Sequence, residues 1–342
     1  MATQVKDSFH EAMERAHVEA LWESERAQGR QHDERASHWR WAELDPLVGQ
    51  AIAATNTEMS ERRVLVLIDP RKEEGMAATR NLNGALQILM PGETARPHRH
   101  SMGALRFIME GSGAVTIVEG KRVPMEVGDL ILTPAWCWHE HEHHGKSRVV
   151  WFDGLDVPLH RHFGTLEFQP GPVKNAADVA PDDAFASIGL VPAGASTPDY
   201  SPLFRYSYAD ACAALGTIPA APDGSRTLRY TNPMGGGPVM PLIDCYLTEL
   251  AKGRATTPRR STAGAVIVVA DGEGESVVGP DTIAWAKNDV FTVPHRNWAS
   301  HTAKTDGARL FVVTDREALR RLGILKEEIG GTDRSGTSTG SR

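Results

Sequence analysis

The chain has 342 residues, with 44 acidic against 37 basic side chains and a formal net charge of −7. This length can bury one large core or two ordinary ones. The charge balance offers no basic stripe for nucleic acid. No apolar run approaches the ~20 residues of a membrane span. Because the three cysteines form no disulfide framework and the N-terminus lacks the apolar core of a signal peptide, we expect a cytoplasmic protein without nucleic-acid or membrane partners.

The N-terminal region has the periodicity of a helix. Apolar residues recur at helical spacing among Glu, Arg and Lys, at Phe9, Met13, Ala16 and Ala20. This pattern predicts an amphipathic helix over residues 7–30 that packs on something larger. We therefore expect residues 1–60 to form an N-terminal helical arm.

Short β-rich runs begin after Arg62 and are separated by turn signals such as Pro91-Gly92 and Gly128-Asp129. These runs are Val64–Ile68, Ala85–Leu89, Phe107–Met109, Ala114–Val118, Leu130–Leu132 and Val149–Phe152. Short strands at this spacing are typical of an antiparallel jelly-roll barrel. We predict such a barrel over residues 61–167.

Three histidines of this barrel form a candidate metal site. His98 and His100 lie two residues apart, so on a strand they point to the same side, and His139 supplies a third imidazole from about forty residues downstream. Structural zinc usually recruits cysteines in close pairs, which this chain lacks. Imidazole suits iron, zinc, copper and nickel alike, so the ligands alone do not name the metal. We interpret the adjacent His143 and His144 as part of a solvated loop.

The barrel pattern returns in the second half of the chain. Residues 168–240 are rich in Pro, Gly, Ala and Asp and are predicted to be a connector with one helix, Tyr208–Leu215. Beyond it, residues 241–325 repeat the first barrel at a distance of about 160 residues. Residues 326–342 are rich in Gly, Ser and Thr, which predicts a disordered tail.

The second copy has lost the candidate metal ligands. Arg259, Ser261 and Ala299 stand at the positions of the three histidines, and His301 echoes His141. We therefore predict that the second barrel is metal-free and structural.

Six segments carry a resemblance to a known family. They are His98–Ile108, Glu110–Ala114, Leu132–His141, Trp151–Pro158, Ser201–Tyr206 and Pro258–Thr262. In these segments the chain resembles the bicupin gentisate 1,2-dioxygenases and their salicylate and 1-hydroxy-2-naphthoate dioxygenase relatives. The resemblance covers most of the chain from residue 60 to residue 325. It implies an all-β dominated bicupin fold, with two antiparallel jelly-roll β-barrels, an N-terminal helix and connecting helical and loop segments.

The resemblance also implies a reaction. The family uses Fe(II), here at His98, His100 and His139, and O2 to open a small aromatic acid between its carboxyl-bearing carbon and the adjacent hydroxyl-bearing carbon. Many cupins have a glutamate as fourth ligand where this chain has Ala104. Three neutral ligands leave the full +2 charge on the metal, which favours a chelating, doubly anionic substrate. Relatives are often homotetramers, so we expect a homotetramer.

Further site residues follow from the family match. His141 and Arg106 are expected to be catalytic, with Arg106 binding the substrate carboxylate. The expected substrate-binding residues are Arg62, Asn83, Ala85, Gln87, Met102, Arg106 and His141. The sequence does not decide between Arg62 and Arg63, nor does it fix the role of Asp153.

The substrate and two alternatives stay open. Asn83 replaces an aromatic residue of many relatives, so the resemblance points to gentisate or another 5-substituted salicylate, such as 5-nitrosalicylate. The alternatives are a non-oxidative, metal-dependent cupin enzyme, either an isomerase or a decarboxylase, and a metal-binding sensor without turnover.

Overall fold

The computed structural model describes six ranges of the chain: 2–22, 34–71, 76–171, 180–187, 189–194 and 198–330. The helices are α1 Ala2–Ala16, α2 Trp41–Ala54, α3 Thr57–Ser60, α4 Val157–His162, α5 Tyr208–Thr217 and α6 Arg316–Arg321. The first strands are β1 His38–Trp39, β2 Arg63–Leu67, β3 Asn83–Leu89, β4 Thr94–His100, β5 Ala104–Glu110, β6 Ala114–Val118, β7 Lys121–Met125, β8 Leu130–Thr133, β9 His139–His143, β10 Val149–Leu155 and β11 Phe168–Pro170. The others are β12 Arg205–Tyr206, β13 Arg226–Arg229, β14 Asp244–Glu249, β15 Arg259–Ser261, β16 Ala265–Asp271, β17 Glu273–Val278, β18 Asp281–Ala286, β19 Val290–Val293, β20 Ala299–Ala303, β21 Arg309–Thr314 and β22 Glu327–Ile329.

Residues 1–34 form one compact unit and residues 35–342 another. In the first unit, α1 ends earlier than the predicted helix over residues 7–30, because His17 takes a positive φ of 53°. The amide of Val18 bonds back to the Met13 carbonyl, which closes the helix as a Schellman motif does. Residues 17–22 are not helical, and residues 23–33 lie outside the described part of the chain.

The second unit consists of two barrels with the same strand arrangement. In the first barrel, a six-stranded sheet in the order β12-β8-β5-β10-β3-β2 faces a five-stranded sheet, β11-β4-β9-β6-β7. In the second barrel, the orders are β1-β19-β16-β21-β14-β13 and β18-β17-β20-β15-β22. The strands named in these orders pair antiparallel with their neighbours. The predicted all-β bicupin fold is confirmed. In the described ranges, no helix is long and apolar enough to span a membrane.

The barrel boundaries differ from those predicted. The expected connector contains β11 and β12, which belong to the first barrel, and β13, which belongs to the second. At the C-terminal end, β22 pairs with β15, so the second barrel extends into the expected tail; residues 331–342 of that tail lie outside the described ranges. These short strands escape notice in the sequence because each is only two to four residues long and pairs with a distant segment.

The two barrels exchange their outermost strands. Strand β1 precedes the first barrel but pairs with β19 of the second, where His38 lies opposite Phe291. Strand β12 precedes most of the second barrel but pairs with β8 of the first, where Arg205 lies opposite Ile131. Each barrel therefore completes its six-stranded sheet with a segment from the other half of the chain.

The two six-stranded sheets share one hydrophobic core. Side chains of both barrels belong to the same buried cluster, and Phe107 of β5 stacks on Phe311 of β21 with ring centroids 4.3 Å apart. Because side chains alternate along a strand, Arg106 points to the opposite side, into the interior of the first barrel. This alternation separates the shared core from the candidate site.

A buried aspartate anchors each exchanged strand. The Asp289 carboxylate accepts a hydrogen bond from the Trp41 amide at 2.7 Å, at the start of α2, and lies 3.0 Å from His38 Nε2. In the other barrel, Asp129 accepts from the Tyr208 amide at 2.9 Å, at the start of α5, and from Arg205 Nε at 2.6 Å. A carboxylate at a helix start satisfies free amides and the helix dipole together.

We expect Asp289→Ala to lower the free energy of unfolding by about 1–3 kcal/mol, because it removes a buried carboxylate that accepts from the partly buried amides of Trp41 and Ala286. Urea denaturation followed by tryptophan fluorescence measures this change. Asp306→Ala, which removes a carboxylate that is 86% exposed, is the matched control and should change stability little. Equal stability of the two variants would contradict the anchoring role of Asp289.

Candidate active site

Three buried imidazoles converge inside the first barrel. His98 and His100 lie on β4, and His98 lies directly opposite His139 on β9. One nitrogen from each ring lies within 4.8 Å of those of the other two, and the side chains are at most 4% exposed. Among the described residues, this is the one group of three His, Cys, Asp or Glu side chains with metal-binding spacing.

Backbone carbonyls hold the three rings in orientation. The Nδ1 atoms of His98, His100 and His139 lie 2.9, 2.8 and 2.9 Å from the carbonyl oxygens of Arg96, Met102 and Cys137. Such contacts place the proton on Nδ1, because a carbonyl can only accept. The Nε2 lone pairs are then available to a metal, which is the usual outer-shell arrangement of metal-binding histidines.

The surroundings keep these imidazoles neutral. Burial, together with the charge of Arg62 and Arg106, lowers the pKa of His98 to about 3 and that of His100 to about 4. Burial likewise lowers the pKa of His139 well below its ordinary value. Its Nε2 atom is buried and has no hydrogen-bond partner. A neutral imidazole nitrogen whose lone pair has no protein partner is suited to bind a metal ion.

The structure separates the two neighbouring arginines. Arg62 points to the triad, where its Nη1 donates to His98 Nε2 at 2.8 Å and its guanidinium lies 5.0 Å from the ring centroid of Phe168. Arg63 points the other way and forms an ion pair with Glu93 at 2.8 Å. Of the two residues left open by the sequence, Arg62 is the one at the site.

A second arginine lies inside the barrel beside a carboxylate. Arg106 lies opposite Asp153 on the neighbouring strand, with Nε 3.3 Å from Oδ1 but without hydrogen-bond geometry. Its Nη1 donates to Thr133 Oγ1 at 2.5 Å. Burial lowers the pKa of Arg106, which Asp153 opposes, and burial raises the pKa of Asp153 to about 6 against the effect of Arg106. Asp153 therefore holds the guanidinium in place.

The fourth buried histidine of this interior is His141. Its Nδ1 lies 3.0 Å from Thr116 Oγ1, and its Nε2 is buried without a hydrogen-bond partner. Its ring centroid is 6.3 Å from that of His139 and 5.2 Å from that of Trp151. The alternation of β9 thus places His141 on the same side as His139, two residues further into the barrel.

The predicted pocket residues of β3 share the face of Arg106 and Asp153. Ala85 lies opposite Asp153, and Gln87 lies opposite Trp151. Asn83, at the start of the same strand, donates from Nδ2 to the Met76 carbonyl at 2.6 Å. All three side chains are buried.

Met102 contacts the triad through its backbone. Its carbonyl oxygen is the partner of His100 Nδ1 at 2.8 Å, and its side chain is half-buried. Through this carbonyl, Met102 orients the His100 ring, in addition to the place in the pocket that the sequence predicted for it.

The interpretation of His143 as part of a solvated loop is wrong. It is the last residue of β9, is 1% exposed and lies 2.6 Å from the Ser147 carbonyl through Nε2. His144 is exposed, as predicted, and contacts Glu142. Strand β9 therefore extends to His143, whereas the nearby Gly145 had suggested that a loop already begins there.

The second barrel has no matching triad among its described residues. Arg259 lies opposite Ala299 where His98 lies opposite His139. His301 is retained and bonds to Ser276 through Nδ1 at 2.7 Å.

Sequence reasoning missed three contacts of the site. Phe168 stacks on His98 with centroids 5.3 Å apart, but the sequence placed it in the connector. The other two are Thr116, the partner of His141, and Thr133, the partner of Arg106. Strand alternation in the sequence could have predicted that both threonines face the barrel interior.

Comparisons with known proteins agree with this geometry. Residues 85–158 match the Cupin domain family. The 5-aminosalicylate 1,2-dioxygenase of Comamonas sp is 34% identical over 336 residues, covering 94% of this chain and 90% of the relative. Gentisate 1,2 dioxygenase 1 of Aquipseudomonas alcaligenes is 33% identical, covering 95% and 96%. The solved salicylate 1,2-dioxygenase of Pseudoaminobacter salicylatoxidans with gentisate has a TM-score of 0.87 and 29% identity, covering 95% of this chain and 94% of that one.

A buried carboxyl group behind the triad makes stability depend on pH. Asp156 accepts a hydrogen bond from the Gly103 amide at 3.0 Å, three residues after His100. Burial raises the pKa of Asp156 to about 7, although this hydrogen bond lowers it. A carboxyl group with a raised pKa contributes stability that is fully present below its ordinary pKa and is lost as pH rises through the folded value.

We therefore expect Asp156→Asn to become more stable relative to the parent chain as pH rises from 4 to 8, by about 2–4 kcal/mol, because the amide has no charge to bury. Urea denaturation at several pH values measures the difference. Asp210→Asn, at an exposed position, is the control. A pH-independent difference for Asp156→Asn would refute the shift.

Proposed function

Because this chain belongs to the gentisate and salicylate 1,2-dioxygenases, the aromatic ring-cleaving enzymes of the cupin fold, we propose that it uses Fe(II) and O2 to open gentisate or another 5-substituted salicylate. Cleavage would occur between the carboxyl-bearing carbon and the adjacent hydroxyl-bearing carbon, with both oxygen atoms of O2 entering the product. The observation that carries this proposal is the buried three-imidazole cluster with two arginines beside it.

The donor set supports a bound iron ion. Three neutral imidazoles suit Fe(II) and leave coordination positions open, and the buried Nε2 of His139 has no protein partner. When bound, Fe(II) would supply the electron transfer that couples an electron-rich ring to O2. We propose that His98, His100 and His139 hold it.

The charges of the site support an anionic substrate. Arg62 and Arg106 lie beside the three histidines. The negative charge of Asp153 raises the pKa of both guanidinium groups. Together with a divalent metal, this surplus of positive charge favours a carboxylate and a phenolate on one molecule. We propose that Arg106 binds the carboxylate, for which its fork of donors is suited.

Arg62 and His141 would contact the oxygens on the metal side. Metal binding at His98 Nε2 would release the Arg62 N–H, now 2.8 Å from that atom, for a substrate oxygen. His141 would hold a hydrogen bond to the substrate through its unpartnered Nε2. Burial of His98, Arg106 and His141 lowers the local dielectric and strengthens each interaction.

The 5-substituent would be selected along β3. The Asn83 amide donates one N–H to the Met76 carbonyl, which leaves its oxygen as an acceptor and its second N–H as a donor. The amide oxygen can accept from a hydroxyl or amino substituent, and relatives at 33% and 34% identity are a gentisate and a 5-aminosalicylate dioxygenase. We therefore propose gentisate and 5-aminosalicylate as the preferred substrates, with Ala85, Gln87 and Met102 lining the ring.

We further propose that the enzyme acts in the cytoplasm as a homotetramer, as its family resemblance implies. Light scattering of the purified chain measures the assembly.

Anaerobic reconstitution with Fe(II), followed by an oxygen electrode, tests the reaction. Gentisate, 5-aminosalicylate, salicylate, 5-nitrosalicylate and 5-chlorosalicylate are offered separately, and we expect one O2 consumed per ring with the first two fastest. His98→Ala should lose stoichiometric iron and at least ~10³-fold in kcat/KM, since one of three ligands is gone. His301→Ala, in the second barrel, is the matched control and should retain both. Product formation without O2 uptake would point to a non-oxidative cupin enzyme.

The neighbouring arginines provide a matched pair. Arg62→Gln should raise KM at least about tenfold, because a charged donor to an anionic substrate is lost. Arg63→Gln should keep KM within about twofold and instead lower the free energy of unfolding, because it removes the buried guanidinium that pairs with Glu93 and donates to the Thr55 carbonyl. Steady-state kinetics and urea denaturation on both variants measure this. If Arg63→Gln raised KM and Arg62→Gln only lowered the free energy of unfolding, Arg62 would not contact the substrate.

A further inference from the structure

The positions of His100 and His139 relative to each other depend on a turn as well as on strand pairing. Strand β9 begins at His139, which pairs with His98. His100 therefore lies beyond the last pair of β4 with β9, alongside the turn that joins β8 to β9. In that turn, the Trp136 amide donates to the His100 carbonyl at 2.8 Å. Contacts between β4 and this turn thus contribute to the separation of the two imidazoles.

Arg99 joins the same two segments on the outer face of the sheet. It follows His98 and points away from the three histidines by alternation. Its guanidinium carbon lies 5.4 Å from the ring centroid of Trp136 and 4.8 Å from that of Trp138, within the range of cation–π contacts. Trp138 directly precedes His139. We call Arg99, Trp136 and Trp138 the Arg99 clamp, because they connect β4 to the start of β9.

The backbone conformation of Trp136 is unfavourable for a residue with a bulky side chain. Its φ is +59°, in the left-handed region where glycine or asparagine is preferred. Such a conformation persists only where the surroundings fix it. On the other side of the turn, Glu119 accepts from the Trp138 amide and donates its own amide to the Trp138 carbonyl at 2.9 Å. A tryptophan at position 136 is therefore best explained by its ring, which lies over Arg99.

The second barrel has the same turn without the complete clamp. Arg296 takes the left-handed position with a φ of +63°, and its amide donates to the Ser261 carbonyl at 2.7 Å. Arg260 lies 4.9 Å from the ring centroid of Trp298, but Arg296 stands where the first barrel has its other ring. The turn is therefore kept in both barrels, whereas the sandwich of two rings lies in the barrel that has the three histidines.

The hydrogen-bond partners of the two arginines differ in charge. Arg99 donates from Nε to the Gln169 side chain at 2.8 Å, and Arg260 forms an ion pair with Glu328 at 2.6 Å, each on the neighbouring strand. A neutral amide orients the guanidinium and leaves its charge for the rings, whereas a carboxylate compensates that charge. We therefore expect the stronger arginine–tryptophan contact in the first barrel.

We propose that Arg99, Trp136 and Trp138 are positioning residues, which set the separation of His100 and His139 to the value that a bound divalent metal requires. This inference deepens the proposed function and rests on its metal site. The clamp acts from the outer face of the sheet, through the backbone that carries the ligands. Loss of residues that orient metal ligands typically lowers metal affinity by about 10–100-fold.

Anaerobic binding of Co(II) to the full chain measures the ligand arrangement without catalysis. Visible absorption of Co(II) gives the dissociation constant and a spectrum that depends on coordination geometry, with His98→Ala as the blank. We expect Arg99→Met, which removes the guanidinium but keeps much of the side-chain length, to raise the Co(II) Kd about tenfold and to change the spectrum. Arg260→Met makes the same change in the second barrel and should leave both unchanged.

Position 136 allows a second test at an exposed side chain. Trp136→Asn removes the ring and introduces a residue that tolerates the left-handed backbone. We expect the Co(II) Kd to rise about tenfold, while the free energy of unfolding of the metal-free protein changes little. Trp136→Phe retains a ring over Arg99 and should keep the Kd within about threefold of the parent value. Arg296→Asn, at the equivalent position, is the matched control and should change neither quantity.

The outcomes separate this inference from the proposed function. If Arg99→Met and Trp136→Asn keep the parent Co(II) Kd and spectrum, the clamp does not position the ligands and the inference is wrong. An equal rise in Kd for Arg260→Met would also overturn it. If the clamp variants weaken Co(II) binding as expected but no salicylate consumes O2, the positioning holds and the proposed reaction is wrong. Co(II) binding by the parent chain that is no tighter than by His98→Ala would contradict both.

Discussion

The antiparallel pairing of β4 with β9 is the constraint on which the active site depends. Because His98 lies opposite His139 and His100 shares its face by alternation, a single register brings three imidazoles together. A slip of one residue would turn every ligand to the other face of the sheet. The carbonyls that orient the rings lie within two residues of each histidine, so the arrangement of the three imidazoles is built from strands and the residues next to them.

This dependence on local alternation explains what the sequence could predict. The pairing of His98 with His100 follows from a period of two within one strand, whereas Arg106 and the pocket residues of β3 were expected from the family resemblance and only their common face from alternation. The choice between Arg62 and Arg63 did not follow, because Arg62 precedes the first residue of β2, where alternation has not yet begun. Phe168 and the short strands β11 and β12 were missed because their positions depend on pairing with segments far away in the chain.

The exchanged strands explain why the second barrel is retained although its described residues include no histidine triad. The second half of the repeat supplies β12 to the first barrel, and Phe311 of the second barrel stacks on Phe107, the residue next to Arg106. The covered sheet edges also protect both barrels from pairing with other chains. The second barrel therefore fixes the strand that carries Arg106, although Arg259, Ser261 and Ala299 have replaced its own ligands.

The electrostatics of the site then follow from burial. Two guanidinium groups share the interior with one acid, Asp153, whose pKa burial raises to about 6. Burial lowers the pKa of His98, His100, His139 and His141, which keeps these four imidazoles neutral at physiological pH. Buried charge without enough compensating charge is costly, and Asp153 is the acid that acts on both Arg62 and Arg106. The proposed doubly anionic substrate would remove this cost for the arginines and for a bound divalent metal together, so the burial of the site supports the proposed selectivity for a chelating aromatic acid.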